Sequence, residues 1–303
     1  MKICFWGCRG SIPAPGPDTL EFGGNTTCVE VILNSGRRLV IDAGTGIRLL
    51  GEYLQTRVAT VRLHLLLTHN HWDHLMGLPF FAPIYREDSE IQVDGWPLAM
   101  PALRRIFDDH MGDGFFPVGF EQLKSHVTFL NKIARTPLIL DDVIIEALPL
   151  NHPQGCLGYR FREEGHTLVF FTDNELGLEG GHRFPEFVRF CRHADLLVHD
   201  AQYLPEEISM HRGWGHSTYE EVVRLALEAE VKHLLFTHHD PGRSDHEVRQ
   251  IVKRAQKLAG ASGSILPIDA AREGTVISLP VRVPTGHRRQ AALTRKNRKA
   301  STP

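Results

Sequence analysis

The chain has 303 residues, 42% hydrophobic and 23% charged, with a formal net charge of −2; this excludes a disordered or fibrous chain and suits one large globular domain or two small ones. No apolar run approaches the roughly 18 residues of a membrane span and no basic-then-apolar leader is visible, so no membrane association is expected and the expected location is cytoplasmic. Residues 284–303 hold six Lys/Arg and no acid, which leaves 28 basic against 36 acidic side chains over residues 1–283, a poor match for a long polyanion such as tRNA.

Residues 1–6 read as a short strand that stops at Gly7. Residues 28–33 and 38–41 read as a strand pair around Asn34-Ser35-Gly36, and residues 61–67 as an apolar strand that stops at Thr68. The stretch 79–137 is rich in Pro, Phe and Gly and lacks clear periodicity; it reads as an insertion over one side of a site. Its residues 84–136 contain six Lys/Arg and eight Asp/Glu, so it is no basic arm for gripping RNA. Further strands are expected at 143–148, 158–161, 167–171 and 195–198. Helices come late. Ser217-Thr218-Tyr219-Glu220 has the spacing of a capping box, followed by Val222, Leu225, Ala226 and Ala229 on one face. Ser244-Asp245-His246-Glu247 repeats that start, with Gly260 as the stop. The basic tail from 284 has few large apolar residues and is expected to be disordered.

Two features carry chemistry. The five cysteines, Cys4, Cys8, Cys28, Cys156 and Cys191, form no C-x-x-C pair and read as free thiols in a reducing compartment. The histidines are more informative. His69-Asn70-His71-Trp72-Asp73-His74 follows the apolar strand directly, giving H-x-H-x-D-H. Four nitrogen or oxygen ligands in six residues cannot all face one ion from a regular element. On an irregular loop they split: His69 and His71 toward one metal, Asp73 and His74 toward a neighbour. Imidazole suits zinc or iron, and carboxylate extends the choice to manganese. A second strand, in Val231-Lys-His-Leu-Leu-Phe-Thr-His238, also ends in Thr-His like Thr68-His69, so two related halves would each deliver a histidine to one edge.

With these motifs the chain resembles the metallo-β-lactamase superfamily over roughly residues 1–283. Leu39-Val-Ile-Asp-Ala-Gly-Thr-Gly46, Pro149-Leu-Asn-His152 and Val169-Phe-Phe-Thr-Asp173 resemble successive family segments. Leu196-Leu-Val-His-Asp-Ala-Gln-Tyr203, Gly215-His216-Ser-Thr218 and Leu235-Phe-Thr-His238 resemble the ribonuclease Z and cyclic-phosphate phosphodiesterase branch. The resemblance implies a four-layer αββα sandwich; local patterning alone supports only mixed α/β. It implies one metal on His69, His71 and His152, a second on Asp73, His74 and His238, and Asp173 bridging them. Zinc is the expected metal, with manganese or iron as alternatives. Asp200 also follows an apolar strand and competes with Asp173 for the bridge, but its segment matches a separate motif. His239 neighbours His238, and strand alternation turns it away. Asp42 would orient the histidine loop from behind. His216, beside the helix cap, would hydrogen-bond a phosphate oxygen or protonate a leaving alkoxide. The helix dipole lowers a histidine pKa there, so a bound anion would have to restore the proton. Arg9 would reach a phosphate or else be structural.

The function expected is hydrolysis of a small or cyclic phosphodiester by water activated at the metal pair, with Asp73 and Asp173 orienting that water. The rivals are a lactone, thioester or β-lactam hydrolase, which needs the same water and an oxyanion position; a tRNA-processing ribonuclease; and a metal-binding regulatory protein. A small phosphodiester is the expected partner, nucleic acid is not the expected main substrate, and a homodimer is one assembly open to the chain.

Overall fold

The computed structural model describes residues 1–97, 118–119, 122–178, 180–182 and 184–279. Its first half contains strands β1 (Lys2–Gly7), β2 (Cys28–Ile32) and β3 (Arg38–Ile41), helix α1 (Gly46–Arg57), then β4 (Arg62–Leu67), β5 (Glu90–Gly95) and β6 (His126–Phe129). Next come β7 (Leu138–Leu140), β8 (Val143–Leu150), β9 (Cys156–Glu163), β10 (His166–Phe171), α2 (Phe184–Cys191), β11 (Leu196–Asp200) and the short α3 (Ile208–His211). The last elements are α4 (Tyr219–Glu228), β12 (Leu234–Thr237), α5 (Asp245–Ala261), β13 (Ile268–Ala270) and β14 (Val276–Ser278).

The strands form two seven-stranded sheets, ordered β14-β1-β2-β3-β4-β5-β6 and β13-β12-β11-β10-β9-β8-β7. Three apolar layers define the stack. Ile3, Phe5, Val31 and Leu66 of the first sheet pack against Ile145, Phe161, Leu168 and Val198 of the second. Leu63, Leu65 and Leu67 turn to the other face of the first sheet and pack under Ile47, Leu50 and Leu54 of α1. Val169, Leu197 and Leu234 on the outer face of the second sheet are covered by Phe187, Val222 and Ile251 from α2, α4 and α5. The order helix, sheet, sheet, helix is a four-layer αββα sandwich. Cover on both faces suits the mostly apolar stretch 61–67, in which Leu63, Leu65, Leu66 and Leu67 are buried and Arg62 is exposed at the start of the strand.

Three expectations need correction. Residues 90–95 and 126–129, placed in an insertion, are integral strands of the first sheet, with β5 pairing parallel to β4 and β6 to β5. The first capping box is closed by Thr218 and Glu221, so α4 begins one residue later than expected, while the second is closed by Ser244 and Glu247 as read. Helix α5 runs through Gly260 to Ala261. The basic tail from 284 and residues 98–117 lie outside the described residues. Among the described residues, no helix is long and apolar enough to cross a membrane.

Candidate metal centre

Strands β3 and β4 of one sheet, and β10, β11 and β12 of the other, run parallel and end at one edge. The carboxyl ends of parallel strands are where such sheets place their sites. Backbone geometry turns the side chains inward. Asp42 (φ 61), Asp173 (φ 54) and His238 (φ 54) all follow strand ends in the left-handed region. That region costs a non-glycine residue about 1–3 kcal/mol. Three such residues around one cluster mark a site held against local preference.

Two groups of ligand-type atoms gather there: His69, His71, His152 and Asp173, and beside them Asp73, His74 and His238. Asp173 sits between. Its Oδ1 lies 3.7 Å from His69 Nε2, 3.8 Å from His152 Nε2 and 3.4 Å from His238 Nε2, and its Oδ2 lies 3.3 Å from His74 Nε2. Asp73 Oδ2 is 3.2 Å from both His74 Nε2 and His238 Nε2.

The outward nitrogens fix the imidazole tautomers. His74 Nδ1–H donates to Asp42 Oδ2 at 2.7 Å, and His152 Nδ1–H to the Gly215 carbonyl at 3.0 Å. His238 Nδ1–H donates to Gln202 Oε1 at 3.0 Å. Thr68 Oγ1–H donates to Asp42 at 2.8 Å, so that hydroxyl accepts from His69 Nδ1 at 3.0 Å. Each of these rings therefore turns an Nε2 lone pair inward. His71 is reversed: Nε2–H donates to Gln154 Oε1 at 3.0 Å and Nδ1 faces the cluster.

The cluster is built for cations. His71 Nδ1 and His152 Nε2 are 3.0 Å apart, both as lone pairs, a repulsive contact unless positive charge lies between them. The buried Nε2 atoms of His69 and His74 have no hydrogen-bond partner. Burial holds the His69 pKa well below its usual value and lowers His152 to about 4, so both rings are neutral ligands. Burial alone would raise the Asp173 carboxyl, but His238 and His74 hold it well below the usual carboxylate range, and Asp73 and Asp173, against burial, raise both of those rings above the ordinary histidine value, so positive charge is held beside Asp173 as a proton or, in its place, a cation. Ionised carboxylates and inward lone pairs fit divalent cations bound to imidazole and oxygen. None of the five cysteines lies in either group.

A family model described as the beta-lactamase superfamily domain matches residues 37–239. The chain belongs to the metallo-β-lactamase superfamily. It is 22% identical to a ribonuclease Z of Bacillus cereus, over 85% of this chain and 94% of that one. Among solved structures it is similar to YhfI of Bacillus subtilis, a metallo-β-lactamase fold protein, with a TM-score of 0.67, 20% identity and coverage of 91% and 98%. It is also similar to a diphosphatase of the PhnP family, with a TM-score of 0.63, 18% identity and coverage of 92% and 98%. In this superfamily member the seven residues on which the resemblance rests are all brought together, and the remaining candidates separate clearly. His239 turns away, its Nε2–H donating to the Ala271 carbonyl at 3.0 Å. Asp200 lies behind the cluster: its Oδ1 accepts from Asn174 N at 3.2 Å and its Oδ2 from Ser217 N at 3.1 Å.

Arg9 does not face the site. Its guanidinium is fully buried and donates to the carbonyls of Gly23, Asp240 and Arg243 at 2.9–3.1 Å, so it ties loops together and has no reach to a phosphate. The start of α4 is likewise no open anion cradle, because Ser217 N donates to Asp200 and Thr218 N to Glu221. His216 itself does reach the cluster. Its ring stacks on His238 at 5.0 Å, its Nε2 is 4.0 Å from Asp173 Oδ1, and its Nδ1 is 3.4 Å from Asp200 Oδ2.

Sequence reasoning missed the residues that hold the ligands. Buried Glu175 accepts from Gly213 N and Gly215 N and so fixes the carbonyl that holds His152. At Gly215 (φ +89) a Cβ would lie 2.0 Å from His152 Nδ1, so only glycine fits. Ser11 N donates to Asp73 Oδ2 at 2.8 Å. Asp42, by contrast, was legible, and it is the acceptor shared by His74 and Thr68. Substitution Asp42→Ala is expected to weaken metal binding by roughly 10–100-fold, as loss of an outer hydrogen-bond partner does. Competition with a chromophoric chelator reads this directly, and an unchanged affinity would remove Asp42 from the site.

Proposed function

We propose that the chain is a phosphodiesterase that hydrolyses a small phosphodiester at a pair of divalent cations. The observation that carries this reading is the position of Asp173, one carboxylate within 3.3–3.8 Å of His69, His152, His238 and His74, drawn from both groups. Bound there, the cations would supply a water of lowered pKa and neutralise charge on the phosphoryl oxygens. Asp73 and Asp173, held ionised, accept hydrogen bonds from the attacking water and aim it. His216 Nε2 holds a proton toward the leaving oxygen, and Asp200 fixes the other side of that ring.

The diphosphatase of the PhnP family supports hydrolysis at phosphorus on this fold. The ribonuclease Z relatives favour a second reading, the processing of tRNA ends. The excess of acidic side chains over residues 1–283 favours the small substrate, because RNA binding rests on neutralised phosphates. The assay that decides offers the metal-loaded protein bis(p-nitrophenyl) phosphate, a precursor tRNA and an aryl lactone. Turnover of the first alone is expected; efficient cleavage of the tRNA would overturn the small-substrate reading.

The metal count is tested separately. Protein saturated with zinc and freed of loose ions is expected to hold about two equivalents per chain by elemental analysis. A ratio that stays near one at saturation contradicts the paired site.

A further inference from the structure

A cavity of about 730 Å³ opens at the end of the sandwich opposite the metal centre. His64 stands near the start of β4, whereas the metal cluster lies past its end, roughly 15 Å away along the strand. Leu63, Leu65 and Leu67 face α1, so alternation sends His64 to the inner face of the sheet. Register puts Gln92 of β5 beside it and Glu90 beside Arg62. Arg37, just before β3, reaches across to the second sheet, where its Nε and Nη2 donate to Asp141 at 3.1 and 3.0 Å. All of these polar side chains line the cavity, together with Leu54 and Val58 at the end of α1.

His64 is the unexplained member of this lining. It is 5% exposed and makes no hydrogen bond among the described residues. Burial, with Arg37 close by, holds its pKa down to about 4, so the ring is neutral and carries one N–H donor. A buried polar group without a partner is costly unless something else supplies one. The cations beside it are lightly held. Arg62 is 72% exposed, and its ion pair with Glu90 at 3.2 Å is worth little in water. Asp141 takes two of the Arg37 nitrogens and leaves Nη1. Arg38, also in the lining, is engaged with Glu30. Three guanidinium groups against Glu90 and Asp141 leave the lining positive. A guanidinium fork matches a carboxylate at two points, which a compact ammonium does not.

We propose that this cavity is a second ligand site, separate from the metal centre, for a small organic carboxylate. Arg37 and Arg62 take the carboxylate, the His64 N–H donates to it, and Leu54 and Val58 cover a short apolar body. The inference is independent of the bond hydrolysed at the metal centre.

The test is NMR of the zinc-loaded full chain, read at the His64 ring and at the histidines of the metal cluster, during titration with hexanoate and with hexanamide. Hexanoate is expected to move the His64 signal to saturation and to leave the cluster histidines in place. Hexanamide, the same body without the charge, binds about tenfold more weakly, the scale of one charge-assisted hydrogen bond. Arg37→Gln and Arg62→Gln alter exposed side chains and keep the melting temperature. Each weakens hexanoate binding about fivefold, and the double variant brings the two probes to within about twofold. His64→Leu, followed by calorimetry, loses about as much as either arginine variant. A His64 signal that stays in place at every hexanoate concentration overturns the proposal, and so does equal affinity for the two probes in the unmodified chain. A hexanoate preference that survives in the double variant overturns it as well. Movement confined to the cluster histidines would put the carboxylate at the metal and do the same.

Discussion

Replacing Asp173 with alanine is expected to empty both groups of ligands and reduce hydrolysis to background. The reason is electrostatic as well as geometric. Asp173 and Asp73 are the two carboxylates within the clustered ligand groups, and Asp173 is the one within 3.8 Å of His69 and His152. Without it the imidazole group loses its anionic ligand, and two lone pairs still face each other at 3.0 Å between His71 and His152. The control is Asp200→Ala, which alters a carboxylate of the same type at the end of the neighbouring strand. Asp200 accepts from two backbone N–H groups, Asn174 and Ser217, and lies 3.2 Å from His199 Nδ1. Its loss leaves buried donors without an acceptor, at a cost of about 2–4 kcal/mol in stability. That variant is expected to melt earlier but to retain its cations. Elemental analysis and thermal melts on the same preparations separate the two roles. An emptied site in Asp200→Ala beside a full one in Asp173→Ala would reverse the assignment.

The difference between what could be read and what could not has a physical pattern. His69 and His238 were legible because each follows an apolar strand and a threonine, whereas His152 and Asp173 were reached through the resemblance of their segments to the family. Their supporting partners were not legible, because Glu175, Gln202 and Gln154 reach the site from positions far along the chain and their types are common everywhere. Arg9 resolved to the structural alternative: its donors close onto three carbonyls, Gly23 in one loop and Asp240 and Arg243 in another. The cap of α4 was ambiguous because Glu220 and Glu221 are adjacent, and tertiary contacts decided it. Ser217 Oγ–H donates to the Asn174 carbonyl at 2.6 Å, which leaves Thr218 to cap the helix. Helix α1 was overlooked since Gly46 and Gly51 weaken its propensity; a Cβ at Gly51 would lie 3.0 Å from Phe81, so packing requires the small residue. In β5 the alternation of Ile91 and Val93 was present but short, and the Pro- and Gly-rich surroundings concealed it.

His216→Ala is expected to keep its metals and to slow phosphodiester hydrolysis by roughly 10²-fold or more, the scale of a positioned acid–base group. The geometry also allows a different role, because His216, Asp173 and His238 are close enough to share one ion. Metal content distinguishes them: a ligand would show lost occupancy, whereas a proton donor would not. The finer comparison uses two diesters at equal metal content, one with an alkoxide leaving group and one with p-nitrophenolate. Alkoxide departs only when protonated, so the loss of a donor is felt fully there, while p-nitrophenolate leaves with little help. The variant is therefore expected to lose far more rate on the alkoxide ester. Asp200→Asn should follow the same pattern more weakly, since the Asp200 carboxylate lies 3.4 Å from His216 Nδ1 and sets the ring from behind. Equal losses on both esters would leave His216 as a contact to the phosphoryl oxygens alone. No loss on either, with full metal, would remove it from the reaction and turn the reading back toward an ester hydrolase that needs no general acid at that position.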